Sequence, residues 1–192
     1  RGIDYYNNGK YNESIIEFKN VIQMAPKDAE GHYHLGLAYL KSGKISDLPN
    51  AYKELTQAVE LNPDITDAHL QIGNLLLLSR EYEKAREKGE LVLKKEANNV
   101  DGHLLLGNAL SGLKRGDEAI GEIRKAIELD PKRTASYINL GGLYMLRQNL
   151  DAAEEAFKEA LSVDAKFAQG HLALASLYIF KKDPKSAEIS AD

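Results

Sequence analysis

The 192-residue chain has no cysteine, no tryptophan, only five prolines and no surplus of positive charge. Without cysteine there is no disulfide, no thiolate nucleophile and no Cys-ligated zinc. A formal net charge of −4 argues against a surface for nucleic acid or anionic lipid, because both require clustered Lys and Arg. Long apolar runs are scarce as well. Residues 70–78 and 171–180 are about half the roughly 20 residues of a membrane-spanning helix, and polar residues interrupt both. No membrane insertion by this segment is expected, and the cytoplasm and a bacterial periplasm or envelope are both compatible with the composition. The sequence begins with Arg1 in mid-pattern rather than with Met, so a signal, an anchor or further chain is expected to have preceded it.

Catalytic constellations are also missing. No nucleophile stands near a base in a recognisable motif, and no ligand set has metal spacing, so neither catalysis, a cofactor nor a metal is expected. Gly43-Lys44-Ile45-Ser46 has a superficial likeness to a phosphate loop, but it lacks the upstream strand and the glycine spacing. Most carboxylates, such as Glu90 near Lys94 and Glu154 near Lys158, read as solvated helix pairs.

What the chain does have is a repeated helical hairpin, clearest from Asp117 to Tyr144. Ile120, Ile123, Ile127 and Leu129 recur at helical spacing with Glu122, Arg124, Lys125 and Glu128 on the other side. Asp130-Pro131 ends that helix, since proline lacks the N–H and crowds the preceding turn. A second stripe follows in Tyr137, Ile138, Leu140, Leu143, Tyr144 and Met145. Small residues (Ala119, Ala126, Gly141) stand where helix axes must approach to about 8–10 Å.

The pattern recurs along the chain. The helix-ending residues Pro26, Pro63, Ala97, Pro131 and Ala165 lie 37, 34, 34 and 34 residues apart. A second landmark reads Leu35-Gly36, Ile72-Gly73, Leu106-Gly107, Leu140-Gly141 and Leu174-Ala175, and a small residue opens each second helix at Ser14, Ala51, Ala85, Ala119, Ala153 and Ala187. This signature resembles the tetratricopeptide repeat over the whole chain. The resemblance implies an all-α right-handed superhelical solenoid of antiparallel helix pairs. The expected division of this single array is a partial repeat over 1–28, full repeats over 29–65, 66–99, 100–133 and 134–167, and a partial repeat over 168–192. The three extra residues of the 29–65 repeat fall between its helices, where Pro49 suits a first helical turn.

His32, His69, His103 and His171 share one repeat position with Tyr137. A metal relay is the tempting reading, but tyrosine cannot replace a neutral imidazole ligand, so rings packed between helices are expected instead.

The resemblance also implies a concave groove lined by the first helices. Its positions fall on Tyr33, His34, Leu37 and Leu40, then Leu70, Gln71, Asn74 and Leu78, then Leu104, Leu105, Asn108 and Ser111. They continue with Ile138, Asn139, Met145 and Leu146, and with Leu172, Ser176 and Phe180. Chaperone-binding members grip a C-terminal carboxylate with Lys, Arg and Asn there, whereas Lys41 is the only such cation here. The expected function is a protein-interaction scaffold that takes an extended or helical peptide, with Asn74, Asn108, Asn139 and Gln71 bonding its backbone. The alternatives are a substrate-recruiting arm of a larger enzyme such as a glycosyltransferase, and a self-assembling scaffold, with bacterial envelope systems as the analogy. The incomplete outer repeats, including a short helix over Pro184 to Ile189, predict further flanking chain or end-to-end self-association. The glycines at 89, 112, 116 and 121 predict a soft middle, since each interior helical glycine costs about 1 kcal/mol against alanine.

Overall fold

A computed structural model describes residues 1–181, and the expected helix over Pro184 to Ile189, with Ala187, lies outside them. The described residues form eleven α-helices and no strand. They are α1 (Gly2–Asn7), α2 (Tyr11–Met24), α3 (Ala29–Lys41), α4 (Leu48–Leu61), α5 (Thr66–Leu78) and α6 (Tyr82–Lys95), followed by α7 (Val100–Gly112), α8 (Gly116–Leu129), α9 (Thr134–Leu146), α10 (Leu150–Val163) and α11 (Ala168–Phe180). Contacts divide the chain into two compact units, Arg1–Lys95 and Glu96–Asp192.

Within the first unit each helix packs on its neighbours in sequence, from α1 on α2 through α5 on α6. The described part of the second unit does the same from α7 to α11, with α9 also touching α7 and α11. The odd-numbered helices are the first of each pair and the even-numbered ones the second. The stripes read from the sequence supply the buried contacts: Ala119, Ile123 and Ala126 of α8 are fully buried. Leu129, assigned to that stripe by spacing, is instead 40% exposed, because it is the last residue of its helix.

The pairs close tightly because glycine stands at the crossing point. A Cβ on Gly36 would lie 2.6 Å from Leu55 Cγ, and one on Gly107 would lie 2.7 Å from Ile123 Cδ1. At Gly141 it would run into the ring of Phe157. Such separations are far below van der Waals contact, so these glycines set how near the two helices come.

The turn inside a pair uses a left-handed residue. Arg80, Lys114 and Gln148 have φ near +60°, and Gly9 adopts the same kind of conformation. In each turn the following N–H reaches back to a carbonyl near the helix end: Glu81 to Leu76, Arg115 to Leu110, Asn149 to Tyr144, and Lys10 to Tyr5. This satisfies helix-end carbonyls that otherwise lack partners. The α3–α4 turn accommodates its extra residues in a short 3-10 turn at Ile45–Asp47 with Gly43 left-handed. Pro49 stands in the first turn of α4, as the sequence suggests. The Asp47 side chain does not cap α4; it accepts a hydrogen bond from Ser42 Oγ at 2.7 Å.

Candidate functional site

The recurring ring position stitches the scaffold. His32 Nε2 lies 3.1 Å from the carbonyl oxygen of Pro26, His69 Nε2 3.0 Å from that of Pro63, and His103 Nε2 3.1 Å from that of Ala97. Tyr137 Oη donates to the Pro131 carbonyl at 3.1 Å, and His171 Nε2 lies 2.9 Å from that of Ala165. A carbonyl only accepts, so each ring donates to the residue six positions earlier, in the turn that leads into its helix. Tyrosine serves because a ring ending in a donor is all the contact requires. That explains an alternation which a metal site would forbid. Among the described residues no group of three or more His, Cys, Asp or Glu is arranged to hold a metal ion.

The second ring nitrogen distinguishes the repeats. His32 Nδ1 lies 2.6 Å from Glu54 Oε2 and His103 Nδ1 2.7 Å from Glu122 Oε2, all four side chains being largely buried. Since Nε2 already donates, each short contact needs a shared proton to avoid setting one lone pair against another. Burial works against the ionised Glu122, yet hydrogen bonds from Lys125 and His103 hold its carboxyl below the usual range. In the repeat between them the matching residue is Lys88. His69 is only 5% exposed, and its Nδ1 has no partner. Burial pushes its pKa down, with the Lys88 and Lys95 charges adding to the effect against the Pro63 hydrogen bond.

The open face of the first helices carries most of the side chains expected to bind a partner. In the first unit Tyr33, His34, Leu37 and Gln71 are half-buried, Asn74 is exposed and Leu78 is 73% exposed. Tyr33 Oη donates to Asp67 Oδ2 at 2.7 Å, and Gln71 Nε2 approaches Asp67 Oδ1 at 3.3 Å. Burial and the bonded Asp67 carboxylate push the Tyr33 phenol well above its ordinary value. His34 stacks on Phe18 with ring centroids 5.2 Å apart. Position 67 was not singled out as a binding residue from the sequence, although an acid recurs there at Glu30, Asp67 and Asp101.

In the second unit Asn108, Asn139 and Met145 are half-buried, Ser176 is exposed and Phe180 is 60% exposed. Leu105 departs from expectation. At 2% exposure it belongs to the core and cannot face a partner, because leucine at this register turns inward to fill the hairpin where Gln71 and Asn139 turn out. Leu70 and Leu104 are buried as well, whereas Leu146 and Leu172, the latter at the same register as Leu70 and Leu104, stand open. Asn74, Asn108 and Asn139 have no hydrogen-bond partner for their amides among the described residues, which leaves each with two donors and an acceptor free.

No described helix is long and apolar enough to cross a membrane. Residues 2–43 match a family model described as TPR repeat, and residues 44–101 and 114–177 match models described as tetratricopeptide repeat. The Hsp70-Hsp90 organizing protein of Triticum aestivum is 30% identical over 99 residues, 52% of this chain and 16% of the relative. The chain thus spans only about a sixth of that relative's length. Among solved structures, PilW, a type IV pilus biogenesis factor, superposes with a TM-score of 0.84 over 98% of this chain and 86% of its own, at 14% identity. MamA of Desulfovibrio magneticus RS-1 superposes with a TM-score of 0.76 over 86% of this chain and 92% of its own, at 22% identity. At these identities the likeness is one of fold. With three consecutive family matches and the helix-pair architecture in register with them, the chain belongs to the tetratricopeptide-repeat family.

Proposed function

We propose that this chain is a protein-interaction scaffold whose first-helix faces take an extended or helical segment of a partner protein. The observation that carries the reading is the set of unpartnered amides. Asn74, Asn108 and Asn139 have amides without a hydrogen bond among the described residues, and they share these faces with apolar side chains: half-buried Leu37 and exposed Leu78 in the first unit, half-buried Met145 and exposed Leu146, Leu172 and Phe180 in the second. A partner segment would bury its apolar side chains against these residues and present its backbone to the amides. Tyr33, His34, Gln71 and Ser176 would border the same faces, and Leu105 would support them from beneath. The Hsp70-Hsp90 organizing protein is named for the two partners it brings together, which agrees with a scaffold role but does not carry its partners over to this chain.

The test is selection of a random peptide display library on the chain, followed by calorimetry of the recovered peptides. Asn74→Ala and Asn108→Ala are each expected to weaken binding by about 1 kcal/mol, the usual net worth of one hydrogen bond, with the melting temperature nearly unchanged. A matching fall in thermal stability would make the asparagines structural and remove the observation on which the proposal stands.

A further inference from the structure

On the first unit's open face three helices bring acid and aromatic side chains together. Asp67 of α5 holds the Tyr33 phenol of α3 at 2.7 Å, and Tyr6 of α1 lies close enough for its phenol and the Asp67 charge to act on one another. Tyr6 is itself braced edge-on against Tyr11, with centroids 5.6 Å apart. The bonds made to Asp67, one from Tyr33 and a forked one from Gln71 to both oxygens, come from neutral donors, and none of its partners among the described residues is a cation. A carboxylate offers about four acceptor positions, so oxygen lone pairs remain for a ligand.

The charged groups that act on the Tyr33 phenol, Asp67 and Glu30, are both acids, and the neighbouring His34 lies 3.8 Å from Glu30. Every group acting on the Tyr33 phenol, namely Asp67, Tyr6 and Glu30, favours its protonated form. The cations of the same face are committed or distant. Arg1 pairs with Glu17 and lies over the Tyr5 ring, and Lys41 stands at the far end of α3, eight residues or roughly 12 Å along the axis from Tyr33. A fixed carboxylate bordered by phenol rings suits an ammonium or guanidinium group, which gains a charge-assisted hydrogen bond and the attraction of the ring faces. It repels a free C-terminal carboxylate.

We infer that the α1–α3–α5 face selects a peptide segment bearing a lysine or arginine, whose cationic group seats on the Asp67 carboxylate beside the phenols of Tyr6 and Tyr33. This rests on the peptide-binding reading and adds partner chemistry and register to it. Asn74 stands seven residues further along α5, about 10 Å, and Leu78 about 16 Å, so apolar residues of the partner follow on the Asn74–Leu78 side of its cation.

The experiment uses the full chain and short capped peptides of an apolar sequence in which one position is lysine, arginine, norleucine or glutamate. Fluorescence anisotropy is expected to show the lysine and arginine peptides binding at least tenfold more tightly than the norleucine peptide, with the glutamate peptide weakest and the preference shrinking in high salt. Asp67→Asn, which keeps an acceptor for Tyr33, is expected to bring lysine and norleucine peptides to equal affinity. Tyr33→Phe should lower the preference by a smaller factor. Circular dichroism melts of both variants separate loss of fold from loss of recognition. Equal affinity of the wild-type chain for lysine and norleucine peptides, or a preference that survives Asp67→Asn in a folded variant, overturns the inference and leaves peptide binding intact. Failure to bind any of these peptides, nor any from the display library, overturns the peptide-binding reading and this inference together.

Discussion

The two units share a scaffold and differ in what they present. In both, a glycine sits at the helix crossing, a left-handed residue closes the turn inside a pair, and a ring donates to the residue six positions before it. The open faces part company. The first unit carries Glu30 and Asp67 with Tyr33, His34 and Gln71, whereas the corresponding residues of α9 and α11 are Ala135 and Gln169 with Ile138, Leu172, Asn139 and Ala173. The remaining acid of the series, Asp101, is met by Arg133 at 2.5 Å. Positions that close the hairpin are therefore held to a narrow chemistry, and positions on the open face are free to diverge. Two units of one architecture present an acidic aromatic surface and a more apolar one whose acid is paired.

The shared scaffold is open to a direct challenge. His32→Ala and His103→Ala each remove a buried ring and one hydrogen-bond partner of a largely buried carboxylate, Glu122 keeping its bond from Lys125, so each is expected to cost about 2–3 kcal/mol. Amide hydrogen exchange, which reads each unit separately, is the measurement. Clearly unequal losses would show that the two repeats are not built alike. His69→Ala gives up one hydrogen bond and no carboxylate pair, and should cost less. Lys88→Glu supplies the missing carboxylate and is expected to stabilise the first unit in wild type but not in a His69→Ala background.

A smaller effect distinguishes the crossings. Gly36 faces Leu55, whose Cγ would lie 2.6 Å and backbone nitrogen 3.3 Å from an added Cβ, while Gly141 faces the rigid ring of Phe157 at closer range. Gly141→Ala is expected to destabilise the second unit by about 1–3 kcal/mol, and Gly36→Ala the first by less. Exchange rates that rank the two in the opposite order would place the tighter crossing in the first unit.

The smallest expected effect is a response to acid that is larger in the second unit, since Asp64, the carboxyl of the first unit that Lys95 lowers, is exposed. Lys158 and Lys181, with Tyr178, hydrogen-bond the Glu154 carboxyl and pull its pKa from 4.5 down to about 2. A carboxylate with a depressed folded pKa stabilises above its unfolded value, and that contribution fades as the pH falls from about 4.5 towards 2. Screening limits it to about 1 kcal/mol. The matching residues of the first unit are Ile15, Tyr52 and Arg86, which have no such carboxyl. Glu154→Gln should lower the neutral-pH stability of the second unit and flatten its pH dependence in that window. A first unit that softens equally over the same range would break the distinction.

Helix pairing was legible because the 34-residue spacing of Pro63, Ala97, Pro131 and Ala165 repeats a stop signal with a local cause. The open faces were legible only in part. Periodicity places Gln71, Leu105 and Asn139 at one register, but whether the side chain turns out or in depends on its own chemistry, and leucine fills space that amides avoid. The ring-to-carbonyl bonds had a signal, a histidine or tyrosine always six residues after the helix-ending position, and their direction required the folded turn. The Tyr33–Asp67 bond joins two positions that are not equivalent, since the 37-residue step aligns Tyr33 with Leu70 and Glu30 with Asp67, so periodicity places both on first helices without saying which side chains reach across.

The ring-to-carbonyl bonds bear on where such a chain tolerates a change of length. Each joins a helix to the turn that precedes it, and all five of these turns, 25–28, 62–65, 96–99, 130–133 and 164–167, contain four residues. Adding a residue there would carry the carbonyl out of reach of its ring. The turns inside the pairs have no such tether, and the one at 42–47 is twice as long as its counterparts at 8–10, 79–81, 113–115 and 147–149. Foreign loops or epitope tags spliced into 42–47 should therefore leave the helix pairs in register, while the same inserts in the tethered turns would shift every helix that follows.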